Sequence, residues 1–326
     1  MKKFQCVLLF FTFIFEFGNV SAQQTAKEKG IAFYNQGNNN EAFVQLISAT
    51  GSQKKDAEAW NYLGLASLNL GKVKAGRKAL EKAVGIAPQN STYRANLAYA
   101  YLLARKINKA QAEIKKAIGL DPQNAVAYFI RGTSYLWENK YDEAIADAEK
   151  TISLSKNFSD AYILESDGLL FKFGELWSKT NEPKQHLESL KKALSVLESC
   201  IAECRKNDRS NILPERKEAV QAFVSYFADK DSNISETDLI PLKVLAKPRA
   251  NYTDAARQNS EQGTIKLAVL FASNGTVKYV LILKGLRYGL NAEAVRAARG
   301  IQFEPAKKDG KPLSVVKPVE YSFSIY

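Results

Sequence analysis

The chain has 326 residues and a formal charge of +12, from 46 Lys and Arg against 34 Asp and Glu. That length exceeds one ordinary hydrophobic core and predicts two folded units. With 46% apolar and 25% charged residues, wholesale disorder is excluded. A single histidine and three cysteines leave little material for a metal centre or a nucleophilic site.

Lys2 and Lys3 precede an apolar run from Phe4 to Phe15, which Glu16 interrupts. Val20, Ser21 and Ala22 then offer small residues before Gln23. A basic start, a short apolar core and a small-residue site predict a secretory signal over residues 1–22. As a helix the run would reach only about 18 Å, against roughly 30 Å of bilayer hydrocarbon. Cleavage and export to the periplasm follow as expectations. An uncleaved run would instead leave the protein membrane-anchored.

From there a 34-residue period organises the chain. Gly30, Gly64, Ala98 and Gly132 keep that step, as do Ala42, Gly76, Ala110 and Ala144. Ala49, Ala83, Ala117 and Thr151 form a third series. Small residues at fixed spacing predict pairs of closely packed antiparallel helices, and Pro88 and Pro122 each close a unit because proline cannot continue a helix. The stretch Trp60-Asn61-Tyr62-Leu63-Gly64, followed by Gly76, Leu80, Ala83 and Pro88, resembles the tetratricopeptide (TPR) family. Four units cover residues 23–158, and a fifth starts at Ser159 and loses register near residues 175–181. Helices over Pro183–Arg205 and Leu213–Ala228 are expected to continue or cap the stack, giving a helical part over residues 23–230. The resemblance implies a groove lined by the first helix of each unit. Its residues here are Asn61, Leu65, Leu68, Tyr99, Leu102, Phe129 and Trp137, a mainly apolar and aromatic set. An amphipathic partner segment would fit it, and so would the chain's own C-terminal part; both occupants stay open.

Cys200 and Cys204 are four apart on a predicted helix, where a relaxed disulfide is rare, and read as two small apolar residues. His186 precedes Cys200 by fourteen residues, about 21 Å along one helix. No metal site is predicted.

A linker over residues 231–240 leads to a C-terminal module over 241–326, where the period changes to two. Lys and Arg outnumber Asp and Glu 14 to 6 in that module. Ile265, Leu267, Val269 and Phe271 predict one buried strand face, Asn274-Gly275 a hairpin turn, and Val277, Tyr279, Leu281 and Leu283 the buried face of the partner strand. Residues 290–299 read as a helix packed on the sheet, Asp309-Gly310 as a turn, and Leu313–Ser324 as a last strand. The landmarks Tyr252, Ala255-Ala256-Arg257, Gly263-Thr264-Ile265, Asn274-Gly275-Thr276, Gly289-Leu290, Phe303-Glu304-Pro305 and Asp309-Gly310-Lys311-Pro312 resemble the TonB C-terminal domain family. Thr253 and Ile301 depart from its usual proline and tryptophan. The resemblance implies that a partner strand adds to the edge of the last strand, at Leu313, Val315, Val319, Tyr321, Phe323 and Tyr326. Pro318 inside that strand is a residue that edge strands tolerate.

The expected fold is a TPR-type helical solenoid followed by a small two-layer α+β domain with an antiparallel sheet. No Gly-rich phosphate loop, Gly-x-Ser-x-Gly elbow or His/Cys cluster occurs, so no catalytic residue, metal or cofactor is predicted. The expected partners are envelope proteins or peptides, including a segment of an outer-membrane receptor. Nucleic acid is not expected, because the basic residues form no run interleaved with aromatics. Tight membrane insertion is not expected after signal cleavage. The sequence thus predicts a non-enzymatic periplasmic adaptor. Its alternative is a TonB-type energy transducer for receptor-dependent transport that keeps its N-terminal anchor.

Overall fold

The computed structural model describes residues 25–204, 213–229 and 239–325. The expected signal and Tyr326 lie outside the described residues, as does most of the expected linker; Leu239 and Ile240, read as linker, form a strand.

Eight helices form four pairs: α1 (Ala26–Asn35) with α2 (Asn39–Ser52), α3 (Ala57–Asn69) with α4 (Val73–Ile86), α5 (Ser91–Leu103) with α6 (Ile107–Leu120), and α7 (Ala125–Trp137) with α8 (Tyr141–Leu154). The period reappears in the caps. Asp56, Asn90 and Asn124 stand immediately before α3, α5 and α7, and each side chain accepts from the backbone N–H three residues on. A cap of this kind stabilises a helix by about 1 kcal/mol. Thr25 and Glu28 form a reciprocal capping box on α1.

The turn within each pair also repeats. Gly37, Gly71, Arg105 and Asn139 all have positive φ, between 57° and 80°. A left-handed residue after the helix lets the chain reverse while bonding the last carbonyls, and glycine is its natural occupant. Arg105 holds that conformation with a side chain, at a cost of about 1 kcal/mol. The helices of a pair pack closely. A Cβ on Gly76 would sit 2.8 Å from the carbonyl oxygen of Gly64, so the small residue there is a steric requirement.

The fifth first-helix, α9 (Ser159–Thr180), has 22 residues where α3, α5 and α7 have 13. It overshoots the turn position of the other units. A 3-10 turn at Pro183–His186, then α10 (Leu187–Glu203) and α11 (Leu213–Asp229), complete the helical part. His186 therefore lies outside the helix that carries Cys200. The reading of Cys200 and Cys204 as separate apolar residues is corrected: the two are disulfide-bonded, with Cα atoms 5.1 Å apart. Helix α10 ends at Glu203, and Cys204 takes extended backbone angles, φ −78° and ψ 140°. The geometric objection applied to two helical residues, and only one is helical.

The C-terminal module comprises β1 (Leu239–Ile240), β2 (Lys243–Ala246), α12 (Asp254–Gln258), β3 (Gly263–Phe271), β4 (Val277–Lys284), α13 (Leu290–Arg299), β5 (Gln302–Glu304), β6 (Ala306–Lys308), β7 (Lys311–Leu313) and β8 (Val315–Phe323). Its main sheet has the order β4-β3-β8, all antiparallel. The expected last strand is two strands: Leu313 belongs to β7, which pairs with β6 across the Asp309-Gly310 turn.

The sheet is buried on both sides, and this corrects the expected strand faces. Ile265, Leu267, Val269 and Phe271 pack against α13 residues Leu290, Ala294, Ala297 and Ala298, as expected. On β4, however, Val280 and Ile282 face that layer, because they lie opposite Val269 and Leu267. Leu281 and Leu283 join Ala268, Leu270 and Val316 in one core with α9, α10 and α11, including Phe173, Trp177, Phe223 and Phe227. Taking every second residue of β4 as buried leaves one wet face, yet Val280-Leu281-Ile282-Leu283 is an unbroken apolar run. Both faces are apolar because the helical array is the second layer. Each buried leucine contributes roughly 2 kcal/mol, so this face is a substantial part of the join between the two units.

Candidate functional site

Two regions hold the candidate residues: the open edge of the main sheet, and the junction where the module sits on the array.

Of the sheet's two edge strands, β4 has α9 packed against it and β8 is open. At the β4 edge α9 packs directly, and a Cβ on Gly174 would lie 2.6 Å from Cβ of Leu283 and 2.9 Å from its carbonyl oxygen. Glycine is what lets the helix approach the strand this closely. At the other edge, β8 pairs only with β3 among the described strands. Residues of a strand point their backbone groups alternately to either side. Pro318, opposite Ala268, has no N–H to give, and the carbonyl of Glu320 accepts from Nζ of Lys247 at 2.6 Å. Both facts place the backbone groups of Val316, Pro318, Glu320 and Ser322 on the open side. Lys247 also lies 4.6 Å from the ring centroid of Tyr321. A lysine across an open edge is a device that discourages indiscriminate strand pairing.

The side chains expected at this edge divide. Val315, Tyr321 and Phe323 are buried at 6–9% exposure and face the core, so they are not available to touch a partner. Val319 and Leu313 are half-buried against the same core. What the edge offers outward is backbone, together with the exposed side chains of Pro318, Glu320 and Ser322. The hydroxyl of Tyr321 is buried without a hydrogen-bond partner, and burial raises its pKa.

The expected groove residues divide too. Asn61, Leu68 and Leu102 do not line a groove, because they are buried between helices. The Asn61 side chain accepts from Nδ2 of Asn96 at 2.8 Å, and Leu68 lies against Gly76. The resemblance put them on the inner face; the close approach allowed by the small residues turns that face into contact. Leu65, Tyr99, Phe129 and Trp137 are half-buried. Tyr99 and Trp137 are 6.4 Å apart by ring centroids, and Phe129 stacks on Phe158 at 5.0 Å.

At Trp137 the module itself arrives. The guanidinium of Arg287 lies 4.7 Å from the Trp137 ring centroid, and its Nη1 donates to the Leu102 carbonyl at 3.5 Å. The Tyr288 hydroxyl donates to the Leu103 carbonyl. Glu261, buried at 4% exposure, accepts from Arg287 and from Arg105, both at 2.7 Å. Burial alone would raise the Glu261 pKa; the Arg287 and Arg105 guanidiniums outweigh it and hold the carboxyl below its usual value. One acidic residue of the module is thus clamped between an arginine of its own loop and the left-handed turn arginine of the array. Beside the clamp opens a cleft of about 580 Å³ lined by Trp137, Phe171, Lys284, Leu286 and Asn291.

Sequence reading missed Glu261, Arg105, Arg287, Gly174 and Lys247. One signal was present: in the column Gly37, Gly71, Arg105 and Asn139, an arginine stands where the turn favours glycine. Among the described residues no group of three or more His, Cys, Asp or Glu side chains could hold a metal. No described helix is long and apolar enough to cross a membrane.

Residues 27–91 and 96–157 match a tetratricopeptide repeat model, and residues 248–325 match the Gram-negative bacterial TonB protein C-terminal model. The chain joins TPR repeats to a TonB C-terminal-type domain. Both families are typically non-enzymatic, and the TonB C-terminal domain is associated with the Gram-negative envelope. Among solved structures, a thermophilic TPR protein of Thermus thermophilus aligns at 19% identity with TM-score 0.49, covering 60% of this chain and 97% of its own. MamA aligns at 22% identity and TM-score 0.39, covering 52% and 94%. PilF of Pseudomonas aeruginosa aligns at 18% and 0.42, covering 62% and 86%. No curated protein matches the chain. The TPR array and the TonB-type module share a core and the Glu261 clamp.

Proposed function

We propose that the protein is a non-enzymatic adaptor of the periplasm, whose TonB-type module takes a strand from a partner protein along β8. The observation that carries this reading is the asymmetry of the sheet: α9 packs against β4 at Leu283, and β8 is open with outward backbone groups at Val316, Glu320 and Ser322. Backbone pairing supplies the affinity in strand addition, and flanking side chains supply the choice of partner. The partner class is an extended segment of an envelope protein, such as that of an outer-membrane receptor. The half-buried aromatics Tyr99, Phe129 and Trp137 belong in this reading to the support of the module, with Leu65 left for a second contact on the array. Residues 1–22 act in this reading as a removed leader, residues 23–230 as the array, residues 231–238 as the linker, and residues 239–326 as the module.

The test is site-specific photocrosslinking in native envelopes. A crosslinker at Ser322 should capture a discrete envelope protein, and one at Lys284, at the end of β4, should not. Equal labelling from the two positions, or none from Ser322, removes the reading. Sequencing of the mature N-terminus should begin at Gln23.

A further inference from the structure

Residues 239–249 contain no buried position, although they hold two strands. Strands β1 and β2 are halves of one ribbon that runs antiparallel to β6 and β5. Leu239 lies opposite Lys308, Ile240 opposite Lys307, Lys243 opposite Glu304 and Val244 opposite Phe303, so the register continues across the interruption at Pro241 and Pro305. Neighbouring residues on a strand face opposite sides. Leu239 and Ile240 are 36% and 58% exposed, and Val244 and Leu245 are 48% and 55% exposed. The strip is three strands wide at β1-β6-β7 and two at β2-β5, and Phe303 and Ala306 of its inner strands pack into the module core, so large aliphatic side chains are exposed on both sides of its outer edge, β1 and β2.

The same ribbon is basic. Residues 239–249 and 302–313 hold Lys243, Lys247, Arg249, Lys307, Lys308 and Lys311 against Glu304 and Asp309 alone. Glu304 meets Lys243 at 3.8 Å. Among the described residues, Arg249, Lys307, Lys308 and Lys311 have no ion-pair partner.

We propose that this ribbon seats the protein on an anionic bilayer surface. Charge complementarity selects the occupant. A second copy would set these lysines against each other. A folded acidic protein would cover one face and leave the aliphatic residues of the other in water. A bilayer interface can take an inserted edge: the aliphatic side chains on both sides of β1 and β2 enter the headgroup–acyl boundary, and lysine stems run back to the phosphates. The contact is peripheral, involves no spanning segment, and does not depend on strand addition at β8.

The experiment is vesicle flotation of the full chain, and of the chain from Gln23, which retains every described residue. The vesicles are phosphatidylethanolamine with about one-third phosphatidylglycerol, compared with phosphatidylcholine; the charge term makes partition salt-sensitive. Both preparations should float with the anionic vesicles and be released by salt. Lys307→Glu with Lys308→Glu should weaken partition by roughly fivefold or more per lysine. Ile240→Ser with Leu245→Ser should weaken it with the charge unchanged. These positions are exposed or half-buried, and circular dichroism melting verifies that each variant folds. Arg296→Glu with Arg299→Glu reverses the same charge on exposed side chains of α13 and should leave partition unchanged. Equal flotation with neutral vesicles overturns the proposal, as does equal loss in the α13 control. Flotation only when residues 1–22 are present also overturns it. Binding to soluble polyglutamate without flotation would assign the ribbon to an acidic protein and overturn it too.

Discussion

Arg287 bridges two polypeptide units at once: its guanidinium lies 4.7 Å from the ring centroid of Trp137 and 2.7 Å from the Glu261 carboxylate. Replacing it with alanine leaves Glu261 buried with Arg105 as its remaining guanidinium partner. Losing one member of a buried ion pair costs about 3 kcal/mol. We expect Arg287→Ala to lower the melting temperature, split the unfolding transition, and shift Trp137 fluorescence to the red. A single unchanged transition would show that the clamp does not hold the units together.

The clamp has a pH signature. The Glu261 carboxyl is depressed in the folded state, so its stabilisation is present above the ordinary glutamate range near 4.5 and is lost as pH falls through the lower folded value. The junction should loosen as pH falls below the ordinary glutamate range. Limited proteolysis across pH 3 to 6 tests this, with Glu261→Gln expected to remove the dependence.

Glu165 predicts the opposite slope. It is 5% exposed, and burial, with Glu149 adding to it, raises its pKa to about 7; Lys192 partly opposes them. A raised carboxyl favours the folded state at low pH, and that contribution is lost as pH rises from about 4.5 through 7. Glu165→Gln should stabilise the protein by about 2 kcal/mol at pH 8 and have little effect at pH 4. Chemical denaturation at the two pH values measures the difference.

Arg105 separates backbone from side chain. Arg105→Gly should relieve the left-handed turn by about 1 kcal/mol while removing the Glu261 contact. Arg105→Ala removes the contact and keeps the strain. Glycine should therefore be the more stable variant by about that amount, with both showing a weakened junction in proteolysis.

Lys247→Ala clears the open edge of β8 by removing the amine from the Glu320 carbonyl. In the strand-addition reading, crosslinking yield at Ser322 should rise severalfold. Gly174→Val, by contrast, inserts bulk against Leu283 and should destabilise the junction by roughly 2–3 kcal/mol without touching β8.

Much of this architecture was legible in residue spacing. The 34-residue step of Gly30, Gly64, Ala98 and Gly132 reports helix pairing directly, because close packing admits few residue types. The alternation of Ile265, Leu267, Val269 and Phe271 reports a strand face for the same reason. The junction was harder to read. Glu261 and Arg105 lie 156 positions apart, and nothing local to either announces the other. The apolar runs Ala268-Val269-Leu270 on β3 and Val280-Leu281-Ile282-Leu283 on β4 carry the second buried face, which taking every second residue as one buried face passes over. Asn61 and Leu102 fell on the groove that the resemblance implies, and only the distance between neighbouring helices decides whether such a face is open or filled.

The packing of α9 against β4 also bears on valency. A sheet open at both ends can template a partner at one side and be templated at the other, so chains join into fibres. In the strand-addition reading α9, with Gly174 against Leu283, stands in the way of a strand at β4, and β8 can be extended once from the other end. In the strand-addition reading, complexes formed through β8 would stay one-to-one however high the local concentration in a crowded compartment.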